Sequence, residues 1–295
     1  MKKLLAVLAV LVVAAGVITY LALGTDLFAR PEQAVSAASS ESSEAASSSS
    51  SASSAPGQLA KRKAPATVAD LLETIQYEKG QNPDTVGWLS IPDTDVENSV
   101  VQSHDNHYYL RRTERRVSDI YGCYFADYEC SFGPRDELSA NTVIYGHSDL
   151  KDNPDGPRFS QLFKFTEESF ARSHPILSFS TVYEPMDWEI FAVFYADTGF
   201  AYNRVDFSEE EREALIAEAR RKSIYHYETE VSAEDKLITL STCTVKYGER
   251  TDQRFVVMAK LIPAGAETPK EAALALNPNP EPPAFAAGGS AAAGV

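Results

Sequence analysis

A mainly β domain, folded as a closed barrel or a sandwich, is the architecture this sequence predicts. Three observations predict it. Seven short runs rich in β-branched and aromatic residues follow one another between Val86 and Ile262, turn residues separate most of them, and only two segments carry a helical signature. With both ends set aside, about 200 residues remain, the size of one domain.

The first element is a helix near Thr67 to Lys79. Thr67 is placed to cap it, and Val68, Leu71, Leu72 and Ile75 share one face. Asn82-Pro83-Asp84 then breaks the chain. The β-rich runs follow as Val86–Ile91, Val96–Val101, Ile120–Phe125, Thr142–Tyr145, Trp188–Tyr195, Lys236–Thr242 and Phe255–Ile262. One long helix interrupts them. Ser208 precedes Glu209-Glu210-Glu211, so a capping residue and three acids open its first turn, and Ala214, Leu215, Ala217 and Ala219 carry it to about Lys222. No internal repeat is visible.

The ends read differently from the middle. Leu4 to Leu23 is twenty residues without a charge, long enough at 1.5 Å per residue to cross about 30 Å of hydrocarbon. Lys2 and Lys3 precede it, which places residues 1–3 in the cytoplasm and the bulk of the chain outside. The run is longer than a usual signal-peptide core, which favours an uncleaved anchor over cleavage near Val35-Ser36-Ala37. Residues 24–65 form a linker, and Ser36 to Ser54 holds twelve serines in nineteen residues, a composition expected of a flexible tether. The folded domain is expected over residues 66–262. Beyond it, 263–295 is rich in Ala, Pro and Gly and is expected to be disordered.

Charge and cysteine content exclude several functions. The balance is 27 − 42 = −15, which argues against nucleic acid as a partner, because phosphate binding needs a basic face. Three cysteines (Cys123, Cys130 and Cys243) are too few for a disulfide scaffold and form no pair of CxxC motifs, so a structural zinc ribbon is not expected.

Three residues carry reactive potential together. Cys243 ends the β-run Leu237-Ile-Thr-Leu-Ser-Thr-Cys, His147 ends Asn141-Thr-Val-Ile-Tyr-Gly-His, and Arg254 begins the strand after the cysteine. Taken singly, each has a bland reading: a buried small hydrophobe, a satisfied histidine, a surface charge. Taken together they read otherwise. An exported thiol at a strand end is exposed to oxidation unless it is used. Cysteine nucleophiles act as thiolates, favoured by a nearby imidazolium or guanidinium. Arginine stays protonated, so its roles are to hold substrate and to stabilise an oxyanion.

These residues resemble the sortase family. The resemblance is carried by Thr239-Leu-Ser-Thr-Cys243, by Arg254-Phe-Val-Val-Met-Ala-Lys-Leu261 after it, and by the upstream NTVIYGH segment. Gly87-Trp-Leu-Ser-Ile-Pro92, Val100-Val-Gln102, Asp105-Asn-His-Tyr-Tyr-Leu110 and Gly122-Cys-Tyr-Phe-Ala-Asp127 resemble class B sortases, as does the helix before the TLSTC strand. The resemblance runs from about Thr67 to Ile262, in order and without large gaps.

It implies a closed eight-stranded β-barrel with an added N-terminal helix and one long helix before the cysteine strand. It also implies a membrane-anchored cysteine transpeptidase of a Gram-positive cell surface, using no cofactor and no metal. Such enzymes cut a sorting signal after its threonine, hold the acyl group as a thioester and pass it to an amine. The implied partners are surface proteins bearing an NPxTx-like signal, and a peptidoglycan-precursor or pilin amine. On this resemblance Cys243 is the nucleophile, His147 the acid and base, and Arg254 the oxyanion partner, with the Thr244 N–H as a second donor. Ser241 and Tyr145 line the pocket for the signal's threonine, and Asn106 and Leu110 contact its front end. Two departures stand out. Thr244-Val245 replaces the acidic or aromatic residue that many class B members carry there, and Arg250 is a rival to Arg254, which is preferred because it directly precedes the strand.

Other readings weigh less. His104 and His107 have metal-ligand spacing, but the resemblance puts no metal there. Cys123 and Cys130 are spaced so that a disulfide is permitted, nothing more. His174 and His226 read as structural, Asn82 to Val86 as a turn, and Asp127 either as support for the site wall or as a structural acid. A non-catalytic wall-binding module is the rival class. Another exported cysteine peptidase is a further one, though papain-like enzymes usually place Cys before His.

Overall fold

The computed structural model describes residues 67–287. The apolar run Leu4–Leu23, the Ser-rich tether and the candidate cleavage site all lie outside the described residues. Among the described residues no helix is long and apolar enough to cross a membrane.

Helix α1 (Val68–Gln81) opens with the Thr67 hydroxyl accepting from the Asp70 N–H, the cap that leaves one fewer orphan donor in the first turn. Eight strands follow that close into a barrel: β1 (Thr85–Ser90), β2 (Glu97–Gln102), β3 (Tyr124–Ala126), β4 (Asn141–Tyr145), β5 (Ile176–Ser180), β6 (Asp187–Asp197), β8 (Leu237–Cys243) and β9 (Gln253–Leu261). Their order around the barrel is β1-β2-β3-β4-β8-β9-β6-β5, and β5 closes onto β1. Pairings β2·β3 and β4·β8 are parallel; the others are antiparallel. Parallel neighbours need long crossovers, and the one between β4 and β8 contains β5, β6 and the long helix.

The strand β9 reads as an almost unbroken apolar run because both its faces are buried. Phe255, Val257 and Ala259 join Leu89, Ile144, Phe179, Trp188 and Leu240 inside the barrel. Val256 and Met258 face the other way and pack with Leu215, Ile216 and Ala219 of helix α3 (Glu209–Lys222). That helix begins with a full capping box between Ser208 and Glu211. A 3-10 segment (Arg158–Thr166) and a short helix α2 (Glu168–Ser173) lie between β4 and β5.

Three expectations need correction. First, Ile120–Phe125 is not one strand: Ile120 is 70% exposed, and only Tyr124–Ala126 pairs. Second, β5 was not among the predicted runs. Its Ser178 and Ser180 dilute the β signal, and it becomes a strand because β1 and β6 pair with it on either side. Third, the chain after Ile262 is not disordered through Ala287. Strand β10 (Leu274–Leu276) pairs antiparallel with β7 (Tyr225–Tyr227), burying Ala272 and Leu274. The Asn277 amide donates to the Ser223 carbonyl at 2.8 Å, and Glu281 meets Arg221 at 3.1 Å and Lys222 at 3.3 Å. The described part of the tail ends in a short turn of helix, α4 (Ala284–Ala287). A composition poor in large apolar residues hides these few anchors.

Candidate active site

Strand register assembles the site. Strands β4 and β8 lie parallel with Tyr145 opposite Ser241, and the Gly146 N–H donates to the Ser241 carbonyl at 3.3 Å. Two residues further along each strand stand His147 and Cys243. The Ser148 hydroxyl ties these ends together by donating to the Cys243 carbonyl at 2.6 Å. Strand β9 runs antiparallel to β8 on its other side, with Arg254 opposite Cys243. Three adjacent strands therefore deliver a sulfur, an imidazole and a guanidinium to one open cleft. Gly146 makes the crossing possible, since a Cβ there would stand 2.7 Å from the Phe159 ring.

The three cysteines separate cleanly. All are free thiols; Cys243 is exposed, while Cys123 and Cys130 are buried in two different apolar clusters and do not pair. Burial pushes the Cys130 thiol up to about 12 and the Cys123 thiol higher still, so neither supplies a thiolate near neutrality. Among the described residues no group of His, Cys, Asp and Glu is placed to hold a metal.

His147 is partly buried, and desolvation lowers its pKa below the ordinary 6.5, opposed by a hydrogen bond to Leu110. That bond defines the tautomer. Nε2 lies 2.8 Å from the Leu110 carbonyl oxygen, which can only accept, so Nε2 carries a hydrogen. Nδ1 is then the nitrogen that exchanges protons, and among the described residues nothing bonds to it.

The two arginines are also distinguished. Arg254 donates from one terminal nitrogen to the carbonyls of Thr251 and Gln253, at 2.8 Å each, and lines the cleft. No carboxylate among the described residues forms an ion pair with it, so its remaining N–H groups are available. Arg250 holds Asp252 in two bonds, at 2.9 and 2.7 Å, with its guanidinium 4.0 Å from the centre of the Phe285 ring. It is not among the cleft residues.

The walls combine predicted and unpredicted residues. Asn106, Leu110, Tyr145 and Ser241 line the cleft. Asp127, 4% exposed, organises this wall: one carboxylate oxygen accepts from both the Asn106 amide and the Tyr145 hydroxyl, at 2.8 Å each. Burial raises the Tyr145 phenol far above its ordinary 10, so it stays a neutral donor. Thr244 differs from the others. Its side chain is buried outside the cleft, donating to Asp152 at 2.6 Å, and only its backbone is left for the expected role. His104 is exposed, and His174 stacks on Phe170 and meets Asp93 at 3.0 Å, a structural setting.

Sequence reasoning missed a second wall and three supports. Thr198, Tyr202 and Asn203 reach the cleft from the β6–α3 connection, with the Tyr202 hydroxyl 2.9 Å from that of Ser241. Aromatic density in Phe200-Ala-Tyr202 was the available signal. Asp152 also accepts from the Val245 N–H at 3.1 Å, pinning the chain just after Cys243. Gln253, fully buried, ties the same loop from inside through Tyr247 and Gly248. Gly122 turns beneath the carbonyl of Leu110.

Comparison with known proteins identifies the family. The sequence profile described as Sortase, a sortase domain, matches residues 89–262. Sortase B of Listeria monocytogenes serovar 1/2a is 36% identical over 183 residues, which is 61% of this chain and 71% of that one. The solved Staphylococcus aureus sortase B–substrate complex superposes with a TM-score of 0.58 at 30% identity, covering 65% of this chain and 86% of that one. A sortase B solved in complex with triglycine gives a TM-score of 0.58 at 29% identity, with coverages of 65% and 86%. The matched stretch holds every cleft residue from Asn106 to Arg254.

Proposed function

The chain belongs to the sortase family, with class B relatives, and from that premise we propose that it is an exported transpeptidase in which Cys243 is the nucleophile, His147 the acid and base, and Arg254 the oxyanion partner. The observation that carries this reading is the exposed Cys243 on β8, flanked by the end of β4 with His147 on one side and by Arg254 of β9 on the other.

The chemistry follows from those groups. The Cys243 thiol passes its proton to His147 Nδ1, the thiolate attacks the carbonyl carbon of the signal's threonine, a C–S bond forms, and the displaced electron pair collects on oxygen. The unengaged N–H groups of Arg254 hold that oxyanion by charge-assisted hydrogen bonds. Collapse breaks the C–N bond, and the departing amine takes a proton from His147 Nδ1. An acceptor amine then gives a proton back to Nδ1 as it attacks the thioester, and Cys243 leaves as thiolate. The lowered pKa of His147 suits this exchange, because the imidazole releases a borrowed proton readily.

The signal is of the NPxTx type in this reading. The Asn106 amide and the apolar Leu110 suit its front end, and the threonine side chain fits beside Tyr145, Ser241 and Tyr202. A neighbour solved with substrate and another with triglycine support a peptide donor and an amine acceptor. The acceptor is a wall-precursor amine or a pilin lysine. Leu4 to Leu23 anchors the chain in the membrane with the N-terminus in the cytoplasm, and the Ser-rich segment gives the catalytic domain reach.

The test uses the full chain with NPxTx, SPxTG-like and LPxTG peptides, each with and without triglycine, reading products by mass. The expected result is cleavage after threonine of the NPxTx peptide, with triglycine joined to the new end. Absence of any cleavage, or turnover retained in Cys243→Ala, overturns the reading.

A further inference from the structure

The loop joining the nucleophile to its arginine (residues 244–252) is held from within but has an open outer face. Lys246, Gly248, Glu249, Arg250 and Thr251 are exposed, and Tyr247, which meets the Tyr195 ring edge-on at 5.9 Å, borders a hollow shared with Ile224 and Pro283. Exposed backbone on an outer face opens more readily than a packed core, and this loop joins Cys243 to Arg254.

The C-terminal tail adds a contact on that outer face. It lies beyond the residues matched by the sortase profile, which end at 262. Its first part is anchored independently through β10, Asn277 and Glu281. Its end then reaches on. The Ala284 N–H donates to the Asp197 carboxylate at 2.8 Å, next to the cleft residue Thr198, and Asp197 pairs in register with Gln253. Phe285 packs edge-on against the Tyr247 ring, with centroids 5.5 Å apart, and takes the Arg250 guanidinium on its face. One aromatic ring thus grips two residues of the loop from outside while Gln253 and Asp152 hold it from within.

We propose that Phe285 is a positioning residue for the reaction, clamping the 244–252 loop so that Cys243 and Arg254 keep their relative placement. This rests on the functional reading above. The grip is that of a ring pair and a stacked guanidinium, contacts with defined geometry that an aliphatic side chain does not reproduce. It also accounts for Arg250: held by Phe285 and Asp252, it stays out of the cleft that Arg254 lines.

The experiment compares the full chain with Phe285→Ala, Phe285→Leu, Phe285→Tyr and a chain ending at Pro283, which keeps the earlier anchors. Hydrogen exchange is followed at the Tyr247, Gly248 and Arg250 amides, each of which donates a hydrogen bond within the loop or to Gln253. Expected for Phe285→Ala, Phe285→Leu and the shortened chain is exchange faster by about tenfold, the factor that one ring pair plus one cation–π contact supplies. With it, kcat on the NPxTx peptide falls by a comparable factor while KM and the unfolding midpoint hold. Phe285→Tyr restores both. Unchanged loop exchange in Phe285→Ala overturns the clamp, as does full activity despite faster exchange, or rescue by leucine equal to that by tyrosine. If the unaltered chain cleaves no peptide, the functional reading falls, and with it the catalytic role of the clamp. Exchange then still reports whether the grip exists.

Discussion

Gly122→Ala tests how far the histidine depends on a turn that is distant in sequence. Gly122 has φ of 56°, and a Cβ placed there would stand 2.6 Å from the Tyr109 oxygen and 2.7 Å from the Leu110 oxygen. Ordinary C···O contacts begin near 3.3 Å, so the Leu110 carbonyl has to retreat by roughly 0.6 Å. That oxygen is the acceptor for His147 Nε2 at 2.8 Å, and the shift takes the bond to about 3.4 Å, beyond the useful range. Two costs add. The left-handed backbone costs alanine about 1 kcal/mol, and relieving the contact costs a further 1–3 kcal/mol or so. Losing the His147 bond removes roughly 0.5–1.5 kcal/mol of orientation, about two- to twelvefold in rate. The bond also raises the histidine's pKa, so its loss lowers that pKa further and moves the activity optimum to lower pH. Gly265→Ala is the control, because its φ is 77° and its Cβ meets nothing within 4 Å. The assay is kcat/KM against pH, with His147 followed by NMR and unfolding by heat. A Gly122→Ala chain that destabilises no more than Gly265→Ala, or that loses rate with His147 titrating as before, refutes the argument.

Other outcomes are expected from the same geometry. Cys243→Ala abolishes turnover, and His147→Ala and Arg254→Ala lose on the order of a hundredfold or more; Arg250→Ala stays within about tenfold by the clamp argument, and the reverse ranking of the two arginines in peptide cleavage would show that the wrong one was chosen. In Cys243→Ala, NMR titration of His147 gives a midpoint below 6.5. The unfolded chain then takes up that proton first, so this residue's contribution disfavours the fold as pH drops through 6.5 toward the folded-state value. Asp152→Ala removes the acceptor of Thr244 and Val245 at a backbone φ of 52°. It is expected to cost about tenfold in kcat/KM, with Asp152→Asn, which tolerates that φ and keeps one acceptor, retaining more of the rate.

The parts legible in the sequence were those where local pattern and packing agree. The helix from Ser208 announced itself by its cap and first-turn acids, and strands such as Trp188–Tyr195 by dense apolar residues on both faces. The expected site residues Cys243, His147 and Arg254 stand at strand ends, where a β-run stops at a polar or reactive residue. Strand β5 was hidden because Ile176-Leu-Ser-Phe-Ser180 is short and rich in serine, and its conformation is set partly by β1, 80 or more residues earlier in the chain. The supports were hidden for the same reason. Asp152 and Gln253 act through partners that only the folded chain brings near, and an isolated Asp or Gln carries no mark of that; Asp127, by contrast, was legible as support for the site wall. The Thr244 side chain turned to Asp152 because a buried hydroxyl needs a partner, a demand that depends on a loop one cannot place from residue order. In the tail, composition averaged away Leu274, Asn277 and Phe285, the residues that dock it.

The parallel pairing of β4 with β8 has a consequence for how the protein is made. Ser148 and Cys243 are 95 positions apart, and Arg254 is synthesised after both. A nascent chain therefore carries its thiol and its imidazole as strangers until nearly the whole barrel has been translated. On the roles proposed above, the cleft is complete only once β9 has paired with β8, so peptide cleavage is expected only from chains that have closed the barrel. Pairings between such remote segments form slowly, so the interval between synthesis and competence is a measurable lag, visible as a delay between the appearance of full-length chain and the first thioester.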